Sequence, residues 1–274
     1  MIRSTRISIR PKQSLGQNFL IDNNIARNIV RDLRLEQEDI IVEIGPGEGA
    51  LTQHIAGRVK RLIAVEVDGR AIDDLRNKFQ LASVEIIHQN FLDVSLLDWK
   101  KKYKSKLKIV GNIPYHLTSP ILFKVFEERD AVQSITFMIQ REVAVRISAK
   151  PNTREYGILA VLSQFYGVPQ ILFNVSPNCF YPKPKVTSTV VQIKMKTAGE
   201  SNFDYGLFHT VVRTAFGKRR KTLRNCLKYL PLEKDTVQRI IEEVDFPMEN
   251  RPEQLSGDEF IQLTRKIKQI ISIQ

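Results

Sequence analysis

Asn112-Ile113-Pro114-Tyr115 closes an apolar run, Ile109-Val110-Gly111, with a carboxamide and an aromatic ring set close together. Ile109 and Val110 suit a buried strand. Pro114 has no N–H to give a ladder, so the strand stops before it. The residue ahead of a proline is pushed toward extended backbone, which stiffens the tip. Such a tip suits a planar base that carries an exocyclic amino group. The base stacks on Tyr115. The Asn112 side-chain oxygen and a carbonyl of the turn accept the amino hydrogens. A capped strand end with a surface tyrosine fits the same four residues, and the rest of the chain must choose between the two.

A second feature lies upstream. Residues 40–44, Ile-Ile-Val-Glu-Ile, form a short apolar strand run. Gly45-Pro46-Gly47-Glu48-Gly49-Ala50 follows, and then a helix from about Leu51 to Gly57. Strand, glycine-rich turn and helix make the first unit of a doubly wound α/β sheet. The glycines let backbone approach a ligand at a helix N-terminus. Leu62-Ile63-Ala64-Val65 is the second strand and ends at Glu66. An acid ~20 positions past such a loop typically binds ribose hydroxyls. Val84-Glu85-Ile86-Ile87 is the third strand; beyond it, Asn90 stands where an adenine edge can be read, beside Phe91. Gly45-x-Gly47-x-x-Ala50 satisfies the dinucleotide pattern, so a nicotinamide oxidoreductase fits this loop, as does a turn that binds nothing. The crowded Glu43-x-Gly45-x-Gly47-x-Gly49 spacing resembles instead the first motif of S-adenosylmethionine-dependent methyltransferases.

The elements that must hold these residues follow in order. Residues 1–21 read as extended, and Asp22 caps a helix whose apolar face is Ile25, Ile29, Val30 and Leu33. A helix over 69–79 separates the second and third strands. Thr118 or Ser119 is expected to cap the helix after the tip, with Pro120 in its first turn. Residues 135–139 form a fifth strand, and 141–149 and 155–166 read as helices. Two late strands, 171–175 and 188–193, are expected to pair antiparallel at a sheet edge around the proline-studded loop Pro177–Lys185. The composition shifts near 197–203 to a linker, and 204–274 shows helical periodicity with no clear strand. The expected organisation is a catalytic domain over 1–200 and an all-helical domain over 201–274.

With 274 residues, 42% hydrophobic and 26% charged, the chain buries an ordinary core. No apolar run approaches the ~20 residues of a membrane span, so no membrane association is expected. Cys179 and Cys226 lack metal-ligand spacing and suit a reducing, cytoplasmic setting. A net charge of +12 points to a polyanionic partner, nucleic acid first. The charge is clustered: Arg3, Arg6, Arg10 and Lys12; Lys100, Lys101, Lys102, Lys104, Lys106 and Lys108; and Lys218, Arg219, Arg220, Lys221, Arg224 and Lys228. The third cluster is the better expected RNA contact. The second is equally read as a solvated loop. The four histidines lack metal spacing, and no metal is expected.

Asn112-Ile113-Pro114-Tyr115 looks like the N-x-P-Y motif of methyltransferases acting on exocyclic amino groups of bases, which hydride transfer does not need. Add Gln17-Asn18-Phe19-Leu20, the loop at 176–186 and Phe216-Gly217-Lys218-Arg219-Arg220-Lys221-Thr222-Leu223-Arg224-Asn225. Together, from about Ser14 to Leu263, the chain closely resembles the ribosomal small-subunit RNA adenine dimethyltransferases. These are related to the erythromycin-resistance RNA methyltransferases, which act on large-subunit RNA. The resemblance implies a Rossmann-like α/β methyltransferase sheet, S-adenosylmethionine as cofactor, and small-subunit ribosomal RNA in an immature subunit as partner of a monomer. It implies that Asn18 and Leu20 close over the cofactor, Gly45 and Gly47 make room for it, Glu66 binds its ribose, and Asn90 lies near its adenine. Asn112 borders cofactor and substrate; Pro114 shapes the tip; Tyr115 and Phe180 sandwich the target base. Arg219, Arg220, Lys221 and Arg224 bind RNA. The family usually has aspartate where this chain has Asn90, which keeps the acceptor and drops the charge.

Overall fold

The computed structural model describes residues 9–197 and 203–272. The expected linker lies almost wholly outside them, as do Arg3 and Arg6. By internal contacts the chain divides into two compact units. One runs to Ala144 and resumes over Pro169–Met195; the other takes Val145–Val168 and Lys196–Gln274. The helical unit thus also includes a segment from the middle of the chain, which a single boundary near residue 200 does not anticipate.

The strands in chain order are β1 (Phe19–Leu20), β2 (Ile40–Ile44), β3 (Arg61–Glu66), β4 (Val84–His88), β5 (Leu107–Asn112), β6 (Val132–Gln140), β7 (Gly167–Val175), β8 (Phe180–Tyr181) and β9 (Ser188–Met195). Seven of them form one sheet in the order β4-β3-β2-β5-β6-β9-β7. The β4-β3-β2-β5-β6 ladders are parallel and β9 joins β6 antiparallel. The two late strands are neighbours at the edge, as expected, with β9 inside and β7 outermost.

Strand β2 is buried at every position, as a central parallel strand must be. The strand order reverses between β2 and β5, and ligands of open α/β sheets bind at that crevice. Backbones approach closely there: a Cβ on Gly111 would stand 2.7 Å from the Ile44 carbonyl. The core beneath gathers Leu20, Ile41, Val110, Met138, Phe180 and Val190.

The helix Asn23–Asp32 begins at Asp22, whose carboxylate accepts from the amides of Asn24 and Ile25. The helix after the tip departs from expectation. It runs Thr118–Glu127 with Leu117 at its cap position and no side-chain cap bond. Thr118 already lies inside the helix, and its hydroxyl is buried without a hydrogen-bond partner among the described residues.

In the second unit the helices are Ile158–Tyr166, Tyr205–Gly217, Leu223–Leu227, Lys234–Glu243 and Gly257–Ser272. Phe208, Val211, Val212, Leu223, Ile240, Phe260 and Leu263 are buried. The basic stretch 216–228 is not one helix. It breaks after Gly217 into a turn over 218–222, so Arg219, Arg220 and Lys221 sit between helices.

Candidate active site

Three strand ends meet in the first unit. Chain leaves β2 into Gly45, β3 ends at Glu66 and β5 ends at Asn112. The ladder sets Ile44 beside Gly111, which brings Gly45 next to Asn112. Both line one small cavity, with Leu20 and Glu43.

The glycine loop is held open. Gly45 has φ +62, a left-handed conformation that side chains rarely adopt, and a Cβ there would meet nothing within 4 Å. That free space beside backbone suits a bulky ligand lying against the loop. Gly47 has φ +56, and a Cβ would press on the Phe19 ring at 2.9 Å. Phe19 of β1 therefore lies directly on the loop.

Glu66 is buried and accepts three backbone amides: Gly47 at 3.0 Å, Val67 at 2.8 Å and Asp68 at 2.9 Å. Burial raises its pKa, and the three amides oppose that shift. The carboxylate is thus fixed in orientation and ties the glycine loop to the end of β3. Asp68 caps the helix Gly69–Lys78 and accepts from Gln17 and Arg70. The Arg70 guanidinium holds this carboxyl well below the usual range. Arg70 also bonds the Arg10 carbonyl. Gln17, Asp68 and Arg70 so pin the arm that leads into β1. Only Gln17 had a sequence signal, inside Gln-Asn-Phe-Leu.

Asn90 is exposed at the end of β4, and its side-chain oxygen accepts from the Leu92 amide at 3.1 Å. One lone pair of that oxygen is thereby used. Glu43 is the buried acid of β2. Thr52 donates to it at 2.7 Å, and burial pushes its pKa up to about 7. A lone acid in an otherwise apolar run was the sequence signal for it.

At the tip, the Asn112 side-chain nitrogen donates to the Asn18 carbonyl at 2.7 Å. Its oxygen is left as the acceptor, the role the sequence assigns. Pro114 accepts from the Leu117 amide, and the Ile113 amide donates to Met138, so the turn is fixed at both ends. The Tyr115 hydroxyl lies 2.9 Å from that of Ser188, and burial raises the tyrosine's pKa. Strand β8 brings Phe180 opposite Leu20 and Tyr181 opposite Phe19. Phe180 is 3% exposed and belongs to the core cluster, whereas Tyr181 is 52% exposed. The stacking face expected at Phe180 is therefore covered in this structure, because alternate residues of so short a strand face opposite ways.

In the second unit, each nitrogen of the Arg219 guanidinium has an internal partner. The guanidinium donates to Glu253 at 2.6 Å and to the carbonyls of Arg154 and Thr153. Arg224 pairs with Glu249 at 3.0 Å. Lys221 bonds the Tyr229 hydroxyl, and both Lys218 and Lys221 lie over that exposed ring. Arg220 is exposed and makes no hydrogen bond or ion pair among the described residues.

Comparison with known proteins meets this geometry. The sequence profile described as "Ribosomal RNA adenine dimethylase" matches residues 9–269. The chain belongs to that family. It is accordingly a methyltransferase. It is 38% identical to the ribosomal RNA small subunit methyltransferase A of Alkaliphilus metalliredigens, over 96% of this chain and 93% of that one. It is 41% identical to the Alkaliphilus oremlandii protein of the same name, over 90% and 88%. Among solved structures, a dimethyladenosine transferase from Plasmodium falciparum superposes with a TM-score of 0.77 at 23% identity, covering 91% of this chain and 97% of that one. The 23S rRNA methyltransferase ErmE superposes at 0.66 and 22% identity, covering 92% and 100%. Both share the Rossmann-like methyltransferase fold. Among the described residues, no helix is long and apolar enough to cross a membrane.

Proposed function

We propose that this chain dimethylates adenine N6 in small-subunit ribosomal RNA, using S-adenosylmethionine. The observation that carries the reading is the cavity shared by Gly45 and Asn112, which sets the ligand loop against the base-reading tip. The names borne by relatives at 37–41% identity support the small subunit as substrate.

S-adenosylmethionine, when bound, supplies an electrophilic methyl group on a sulfonium sulfur. The free space at Gly45 and the oriented carboxylate of Glu66 fit such a ligand. Glu66 holds ribose hydroxyls, Gly45 and Gly47 give room, Asn18 and Leu20 form the cover, and Asn90 accepts from the adenine amino group with its remaining lone pair.

Adenine N6 is a poor nucleophile because its lone pair is shared with the ring. The Asn112 oxygen and a carbonyl of Ile113-Pro114 accept its two hydrogens, which favours a pyramidal nitrogen with a free lone pair. Positioning and fixed dipoles do this work. The proton leaving methylated N6 goes to water, so no strong base is needed. Tyr115 stacks the extruded base, its hydroxyl anchored on Ser188. Phe180 meets the other face once the β1–β8 cover yields. Specific RNA readers favour loops, since the deep groove of duplex RNA hides base edges. A hairpin loop with adjacent adenosines near the RNA 3′ end, met in an immature cytoplasmic subunit by a monomeric enzyme, suits this site. Arg220 and Lys221 grip phosphates; Arg219 and Arg224 shape the turn that presents them.

The test is methyl transfer from labelled S-adenosylmethionine to small subunits lacking the modification, with large subunits and free RNA alongside. Dimethyladenosine in the small subunit, lost in Asn112→Ala, is the expected result. Label in the large subunit overturns the substrate. Binding without any transfer leaves an assembly factor.

A further inference from the structure

The second lysine cluster does not behave as one group. Lys108 is buried, pairing with Asp39 at 2.7 Å and bonding the Arg34 carbonyl at 3.1 Å. Lys102 pairs with Glu85 and lies over the Tyr103 ring. Both are structural. Lys100, Lys101, Lys104 and Lys106 remain, with no side-chain hydrogen bond or ion pair among the described residues.

These four gather at one place. In the helix Leu96–Tyr103, positions 97, 100 and 101 share a face by i, i+3, i+4 spacing. Lys104 ends the helix at φ +53 and turns the chain toward Lys106. Leu97, 47% exposed, the four lysines and Ser105 line one shallow open recess. No carboxylate lines it. Glu128 accepts from the Leu96 and Leu97 amides and pairs with Lys124. Asp98, three residues before Lys101 on the same helix, is a neighbour of that lysine but makes no ion pair with it. Lysines in a last helical turn also complement the macrodipole. That explains neither their sharing a face nor Lys106, beyond the helix.

The place is informative. Lys106 immediately precedes β5, whose far end is Asn112. Six residues of strand put the patch ~20 Å from the base-reading tip, at the opposite edge of the parallel sheet.

We propose that this recess is a second RNA anchor on the catalytic unit, gripping phosphates of a helix or strand outside the target loop. The proposal rests on the reading that RNA is the substrate. Four ammonium groups without an ion pair among the described residues fit a polyanionic backbone, and neither an acid nor an aromatic ring lines the recess.

The experiment uses the full chain with Lys100, Lys101, Lys104 and Lys106 all changed to Ala, and a second variant with Lys101→Glu and Lys104→Glu. RNA affinity and methylation KM are read across salt for three substrates: naked small-subunit RNA, the small subunit, and a minimal hairpin too short to span ~20 Å. The expected result is at least tenfold weaker binding of both long substrates at low salt. The log–log salt slope should fall by about 3, from four lost phosphate contacts. Hairpin KM, cofactor affinity and melting temperature stay unchanged. Equal loss on the hairpin, or no loss anywhere, overturns the anchor. Loss on the protein-containing subunit alone points to a protein partner and also overturns it. A wild type that binds the RNA but methylates nothing defeats the functional reading while the salt slopes still decide the anchor.

Discussion

The Asn112 carboxamide is held by the backbone of Asn18, 94 residues earlier, through a 2.7 Å bond from its nitrogen to the Asn18 carbonyl. That bond fixes the amide's orientation and leaves its oxygen as the free acceptor. It also joins the tip to the arm that lies on the glycine loop, so in the proposed function base reading and cofactor cover share one contact.

Asn112→Asp tests this. An aspartate keeps the acceptor but cannot donate to Asn18, and two oxygens then face each other. The expected outcome is a fall in kcat of about 10²–10³-fold, similar to Asn112→Ala, as for loss of one oriented polar group at a reacting centre. Steady-state kinetics and a melting curve separate this from misfolding, since the fold should persist in both variants.

Glu43 gives a pH signature. Its pKa is pushed up from the ordinary carboxylate range to about 7 by burial. The folded state therefore holds a proton that the unfolded chain releases as pH rises. The associated stability is whole below pH ~4.5 and is lost as pH climbs through about 7, at a cost of about 3 kcal/mol. Urea unfolding between pH 5 and 8 should show that decline in the wild type, and a flatter profile in Glu43→Gln, which keeps a partner for Thr52.

Gly45→Ala should act on ligand binding beyond its effect on the fold. The left-handed φ of +62 costs ~1 kcal/mol for alanine, yet no protein atom lies within 4 Å of the new methyl. The methyl instead occupies the ligand's space. Titration calorimetry with S-adenosylmethionine should show at least tenfold weaker binding, alongside a small loss in urea-unfolding stability.

Arg219 and Arg220 should separate cleanly. Arg219→Ala removes three internal bonds, one to a half-buried carboxylate, and should lower stability by ~2–3 kcal/mol. Arg220→Ala should leave the melting temperature alone, weaken RNA binding, and reduce the log–log salt slope by about 1. Thermal melts and filter binding across salt check both.

Regular, periodic features were readable in advance. Five parallel strands, the glycine loop, Glu66 and the tip follow from apolar runs ended by turn residues; four of the strands fall within a residue or two of expectation, and β6 begins three residues earlier, at Val132. What was hidden depends on distant partners. Lys108 and Lys104 look alike in sequence, but Asp39 buries the first, 69 residues away. Arg219 and Arg220 are adjacent, yet only one reaches Glu253. Strands of two residues such as β1 and β8 have no period to detect, so the burial of Phe180 was not foreseeable. Thr118 was expected to cap a helix, but the helix begins one residue earlier than that role requires.

The pairing of Phe19–Leu20 with Phe180–Tyr181 also sets an order on synthesis. A nascent chain that has emerged only through Gln140 already carries the glycine loop, Glu66 and Asn112. Its amino-terminal arm can already meet Asp68, Arg70 and Asn112, but β1 gains its strand partner only when some forty further residues are made. The strand pair that lies over the loop therefore forms last, after the glycine loop, Glu66 and Asn112 have all been made.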